Sequence, residues 1–160
     1  MMLNALIKIT TLFKNNDINY CVIGGLAMML YNGRANTVDI DFYVLVDDLK
    51  IIKNLLTNHQ IPVKSRGEYQ LQAKVDGVPI DLLYADHYIG SDVVHRAVEK
   101  KLGDKFVRIA TPEDIIVLKT LANRSVDRRD IEELRELFGK KLDEKYIQKT
   151  IKRINKLLSS

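Results

Sequence analysis

Three carboxylates in this 160-residue chain have the spacing of metal chemistry. Asp39 and Asp41 stand two residues apart in Val38-Asp39-Ile40-Asp41-Phe42, and Asp81 stands in Val78-Pro79-Ile80-Asp81-Leu82-Leu83. Extended backbone repeats every two residues, so Asp39 and Asp41 leave the chain on one face, roughly 6–7 Å apart. Like charges at that distance repel, and a divalent cation relieves the repulsion. Oxygen donors with no His or Cys beside them select Mg²⁺ or Mn²⁺ over zinc. A third carboxylate on an adjacent strand would complete a site for two metals about 3.5–4 Å apart. Acidic residues at alternate positions also occur on plain solvated strand faces. A second feature shifts the weight: Gly24-Gly25 ends the apolar run Tyr20 to Ile23 and precedes the helix formers Leu26 to Tyr31. The N–H groups of such a helix start attract phosphate, although close strand-on-helix packing also calls for glycine.

These residues need elements to hold them. Leu3, Leu6, Ile7, Thr10 and Phe13 have helical spacing and predict a helix over 2–15, stopped by Asn15-Asn16-Asp17. Val38, Ile40, Phe42, Val44 and Val46 alternate with Asp39, Asp41 and Tyr43, which predicts a strand over 38–46. Asp47-Asp48 open a helix reaching about Asn58. Residues 68–75 and 78–84 flank Asp76-Gly77 and read as a hairpin, with Asp81 on the face opposite Val78, Ile80, Leu82 and Tyr84. From Ser91 onward the pattern is mostly helical, with Lys105–Ile109 as one further edge strand. Thr111-Pro112-Glu113-Asp114 is a helix start, with Thr as cap and Pro in the first turn. Helices over 127–138 and 143–158 follow. The expected fold class is α+β. A short mixed sheet flanked by helices fills 1–110, and a C-terminal helical segment, 111–160, packs on it without a linker.

The run from Gly24-Gly25 through Arg34, Thr37 and Asp39-Ile40-Asp41-Phe42, with Asp81 after a hairpin, resembles the signature of the DNA polymerase β-like nucleotidyltransferase superfamily. The nearest branch in pattern is the small bacterial and archaeal one, which includes nucleotidyltransferases of toxin–antitoxin and abortive-infection systems. Thr111-Pro112-Glu113-Asp114, Lys119, Ala122, Arg124 and Arg129-Asp130 are similar to the helix that follows in those relatives. The resemblance spans residues 20 to 135.

The resemblance implies the nucleotidyltransferase fold and its activity: transfer of a nucleotidyl group from a nucleoside triphosphate such as ATP to a hydroxyl acceptor, an RNA such as tRNA or a protein, with release of pyrophosphate. Asp39, Asp41 and Asp81 are then the catalytic carboxylates and the ligands of Mg²⁺ or Mn²⁺. Gly24 and Gly25 hold phosphates, and Arg34, Thr37, Lys119 and Arg124 complete the nucleotide site. For Lys119 the sequence alone allows an equally plain reading, a solvated side chain opposite Leu118 and Leu121. Two departures leave alternatives open. The turn lacks the serine that many catalytic members place there, and the chain has no large acceptor-binding domain. A catalytically silent nucleotide-binding module that works with a partner protein in a two-component system is the alternative reading. A metal-dependent nuclease is a third.

Composition narrows the setting. Of 25 Lys+Arg and 21 Asp+Glu, residues 1–95 hold 8 and 10, and residues 96–160 hold 17 and 11. Positive charge is thus concentrated in the C-terminal part, as a solvated face or a surface for RNA. One cysteine, Cys21, excludes an intramolecular disulfide framework and a cysteine zinc cluster. The first residues read as a helix and not a signal peptide, and no apolar run is long enough to span a bilayer. These features lead us to expect a cytoplasmic protein with no membrane partner.

Overall fold

The computed structural model describes residues 1–32 and 36–159. Among these residues seven strands form one mixed sheet. In chain order they are β1 (Asn19–Ile23), β2 (Ile40–Leu45), β3 (Val63–Ser65), β4 (Gln70–Val75), β5 (Val78–Tyr84), β6 (Val98–Leu102) and β7 (Lys105–Ile109). Their order across the sheet is β3-β4-β5-β2-β1-β7-β6. β2 runs parallel to β5, and β1 parallel to β7; the other neighbours are antiparallel. The helices are α1 (Met2–Asn15), α2 (Gly24–Asn32), α3 (Leu49–Asn58), α4 (Gly90–Arg96), α5 (Pro112–Ala122), α6 (Ser125–Phe138) and α7 (Glu144–Leu158). The fold class is α+β.

Alternation divides the sheet into two unlike faces. Tyr20, Val22, Phe42, Val44, Ile80, Leu82 and Leu71 share one face through the strand register, and all are buried. α1 covers it: Phe13 sits 5.5 Å from the Tyr20 ring and 5.7 Å from Phe42, edge-on to the latter. The other face carries Cys21, Ile23, Asp41, Tyr43, Asp81 and Gln72. α4 lies against its centre. Gly90 comes so close that an added Cβ would stand 2.8 Å from Ala85 Cα and 3.2 Å from the Tyr43 ring. Toward β3 and β4 this second face remains open.

Local signals explain most elements. Asp48 caps α3 by accepting from Lys50 N–H at 2.9 Å. Thr111 caps α5 by accepting from Asp114 N–H at 3.1 Å, with Pro112 in the first turn. Asp76 (φ 50°) and Gly77 (φ 81°) form the two-residue turn between β4 and β5, with positive φ at both central residues as a type I′ turn requires. The fully buried Asp114 ties three helices together: it accepts from Arg96 Nε of α4 at 3.2 Å and from the Tyr146 hydroxyl of α7 at 2.5 Å. Ile147 and Ile154 seat α7, whereas Leu158 is exposed.

Three expectations need correction. Residues 98–102 form β6 where the sequence reads as helical, and 63–65 form an edge strand that went unread. β2 begins at Ile40, so Asp39 lies in the bend before it, and Val38 is 76% exposed in place of sharing the buried face. The apolar alternation therefore starts one pair later than it seems to. Arg34 falls outside the described residues.

Candidate active site and metal centre

Asp41 and Asp81 stand directly opposite each other on the parallel pair β2–β5, and both project from the open face. The bend before β2 brings Asp39 to the same point, so that one carboxylate oxygen from each of the three lies within 4.8 Å of the others. Asp41 bears the strain of this. Burial, then the Asp39 charge, then that of Asp81, pushes its pKa from 3.8 up to about 7. Three carboxylates that bring hard oxygen donors to one point, with burial and like charge crowding Asp41, fit a divalent cation.

The surroundings hold this cluster in shape. Thr37 donates its hydroxyl to Asp39 O at 3.0 Å and to Asp39 Oδ1 at 3.2 Å, which fixes the bend. Gln72, opposite Asp81 on β4, donates its amide to Asp81 Oδ1 at 3.0 Å, and Gln70 donates to the same oxygen at 3.2 Å. The other Asp81 oxygen accepts from neither glutamine. Sequence reasoning missed both glutamines. The signal was the two-residue turn, which fixes a register placing Gln72 across from Asp81.

The glycine pair lies at the foot of the cluster. Gly24 has φ +68° and starts α2 directly after β1. A Cβ on it would come within 2.3 Å of Asp41 Oδ2. A Cβ on Gly25 would meet Thr37 Cβ at 3.1 Å and Thr37 Oγ1 at 3.2 Å. Backbone conformation and the approach of the Asp41 carboxylate favour glycine at Gly24, and the Thr37 side chain leaves little room for a larger residue at Gly25. α2 points its first N–H groups to the same place.

A cavity of about 270 Å³ opens beside Gly24, walled by Ile23, Tyr43, Leu83 and residues of α5. At its rim lies an ionic knot. Asp127, fully buried at the third position of α6, accepts from Arg124 Nε at 2.7 Å, Arg124 Nη2 at 3.0 Å and Arg124 N–H at 3.1 Å. The Arg124 guanidinium holds the Asp127 carboxyl below its usual range. Lys119 is buried and donates to Asp130 Oδ2 at 2.7 Å and to Asp127 Oδ1 at 3.5 Å. It is not solvated. Arg124 is different: its side chain is 69% exposed, and its charge acts on Asp41. Since Asp127 binds the Nε/Nη2 edge, the Nη1/Nη2 edge is left for another anion.

Of the residues that the sequence pointed to, Asp39, Asp41, Asp81, Gly24, Gly25 and Thr37 meet at one point. Arg124 and Lys119 both border the adjoining cavity. Residues 2–157 match the family described as nucleotidyl transferase of unknown function (DUF2204). The chain belongs to that family. By that family's description it is a nucleotidyl transferase.

Solved structures agree on the fold. The antibiotic-resistance factor ANT(2'')-Ia superposes with a TM-score of 0.70 at 15% identity, covering 99% of this chain and 93% of that one. The lincosamide antibiotic adenylyltransferase LnuA, solved with lincomycin, gives 0.62 at 14% identity, covering 84% and 96%. An antigenic nucleotidyltransferase-like protein from Paracoccidioides brasiliensis gives 0.57 at 20% identity, covering 89% and 81%. No curated protein sequence matches the chain. Among the described residues, no helix is long and apolar enough to cross a membrane.

Proposed function

We propose that this DUF2204 member moves a nucleotidyl group from a Mg²⁺-bound nucleoside triphosphate to a hydroxyl of an RNA or a protein, releasing pyrophosphate. The observation that carries this reading is the gathering of Asp39, Asp41 and Asp81 within 4.8 Å beside the Gly24 turn. Asp39, Asp41 and Asp81 would hold the metal. When bound, Mg²⁺ neutralises charge on the phosphates as the leaving group departs.

The chain's own residues supply the rest. The N–H groups at the start of α2 bind phosphate oxygens beside Asp41. The open Nη1/Nη2 edge of Arg124 takes another, and the apolar cavity beside Gly24 gives the nucleoside a dry wall. Gln70 and Gln72 hold Asp81 through one oxygen and leave the other to accept the proton of the acceptor hydroxyl. Positioning and preorganised charge do most of this work. The catalytically silent alternative draws on the missing turn serine and on the lack of a large acceptor-binding domain. Thr37 brings a hydroxyl against Gly25, 3.2 Å from where a Cβ there would stand, so a hydroxyl lies beside the turn without the serine.

Pyrophosphate release tests the reading. The protein with Mg²⁺ and nucleoside triphosphate should release it, and Asp39→Asn and Asp41→Asn should each lower the rate by at least about 10²-fold. Unchanged release in those variants would exclude the triad as the catalytic centre.

A further inference from the structure

The open part of the sheet beside Asp81 has a chemistry of its own. β3 pairs with β4 so that Lys64 stands opposite Gln72, and Lys74 stands opposite Pro79 on β5. Alternation puts Lys64, Gln72, Lys74, Pro79 and Asp81 on one face. The ladder continues past β3, since Arg66 N–H donates to Gln70 O at 2.8 Å, which carries Arg66 to the same side. Lys64, Arg66 and Lys74 are exposed, and among the described residues no carboxylate pairs with any of them. A depression of about 440 Å³ runs along this face from Asp81 past Gln72 to Lys64 and Lys74, with Pro62 and Pro79 giving it apolar patches.

We propose that this face is the acceptor surface and that the acceptor is the ribose end of a single-stranded RNA. The proposal rests on the nucleotidyl-transfer reading above and goes further by naming the substrate. Three unpaired cations in a row suit a chain of phosphates. The apolar patches suit an unstacked base, which a duplex end does not offer. Each glutamine amide beside Asp81 keeps its carbonyl oxygen as an acceptor, and a ribose end brings a second hydroxyl to fill it. In the transfer step the reacting O–H gives its proton to the Asp81 oxygen that the glutamines leave. The hydroxyl oxygen bonds to the α-phosphorus, and the bond from that phosphorus to the bridging oxygen of the β-phosphate breaks. Pyrophosphate leaves with the electron pair.

Binding of a fluorescent single-stranded RNA without nucleotide, followed over a range of salt, tests the surface apart from turnover. Wild-type protein should bind with a salt-dependent Kd. The triple variant Lys64→Gln, Arg66→Gln, Lys74→Gln should reduce the salt slope by about 2, at roughly 0.7 per cation on a single strand. Replacing Lys145, Lys149, Lys152 and Lys156 of α7 by Gln should leave the slope in place. A slope lost in the α7 variant and kept in the sheet variant would overturn the proposal, as would absence of RNA binding at low salt. With α-labelled nucleoside triphosphate and Mg²⁺, label should enter the RNA, and a strand ending in a deoxynucleotide should accept it roughly tenfold more slowly, the worth of one hydrogen bond. Label entering protein, or equal transfer to both strands, would overturn it too. Failure of pyrophosphate release while RNA still binds this face would count against the transfer reading and not against the surface.

Discussion

Asp41 sits where three carboxylates converge, and its raised pKa measures what the fold endures to bring them together. A carboxyl that is harder to ionise in the native state than in the unfolded chain destabilises the native state once it is charged. Its contribution is therefore most favourable at low pH and is lost as pH rises through about 7. A divalent cation removes this penalty. Mg²⁺ should thus raise the melting temperature more at pH 8 than at pH 5.5, and Asp41→Asn should abolish most of the difference. Thermal melts at the two pH values with and without Mg²⁺ check this; a gain independent of pH would contradict it. The neighbouring residues show how much of such a site a sequence reveals. The triad and the glycines were legible because their identities and spacing are local. That the positive φ of Gly24 comes with the close approach of Asp41 Oδ2, and that Thr37 crowds Gly25, depends on an approach between separate segments of chain.

The elements divide along the same line. α1, α5, α6 and α7 were readable because apolar spacing, and in α5 a cap, is local to each one. β3 and β6 were not. β3 has three residues, too few for a pattern, and β6 reads Val-Glu-Lys-Lys-Leu, whose charges suit a sheet edge as well as a helix surface. Both are edge strands that exist because a neighbour pairs with them. The junction of α5 and α6 gives the clearest case of a hidden role. Lys119 looked like either a phosphate ligand or a surface residue, yet it is buried against Asp127 and Asp130. Asp127 in turn holds both the main chain and the side chain of Arg124. Asp127→Asn should destabilise the protein by about 1–3 kcal/mol, since a buried charged bond is lost. It should also raise KM for the nucleoside triphosphate several-fold with a smaller effect on kcat, because Arg124 is released from its place at the cavity rim. Urea unfolding and steady-state kinetics measure the two effects. Full stability with unchanged KM would show that the knot does not position Arg124.

At the scale of the molecule, the charge arithmetic takes on a different meaning. The sequence puts its positive excess in residues 96–160, and α7 does carry an exposed row of lysines. The basic face beside the triad, however, comes from Lys64, Arg66 and Lys74, in the half of the chain whose net charge is negative. Topology and not composition brings them there, because β3 and β4 extend the sheet beyond Asp81. The fold also separates two approaches to the carboxylates: a cavity between the sheet and α5 on one side, and an open basic face on the other. A transferase needs two such approaches, one for each substrate. The most direct measurement follows both ends of the triphosphate together. With Mg²⁺, RNA and a nucleoside triphosphate labelled at the α- or the γ-phosphorus, the α-label should become covalently bound to the acceptor while the γ-label appears in pyrophosphate. A γ-label appearing as inorganic phosphate or on the acceptor, with the α-label remaining on free nucleotide, would contradict nucleotidyl transfer.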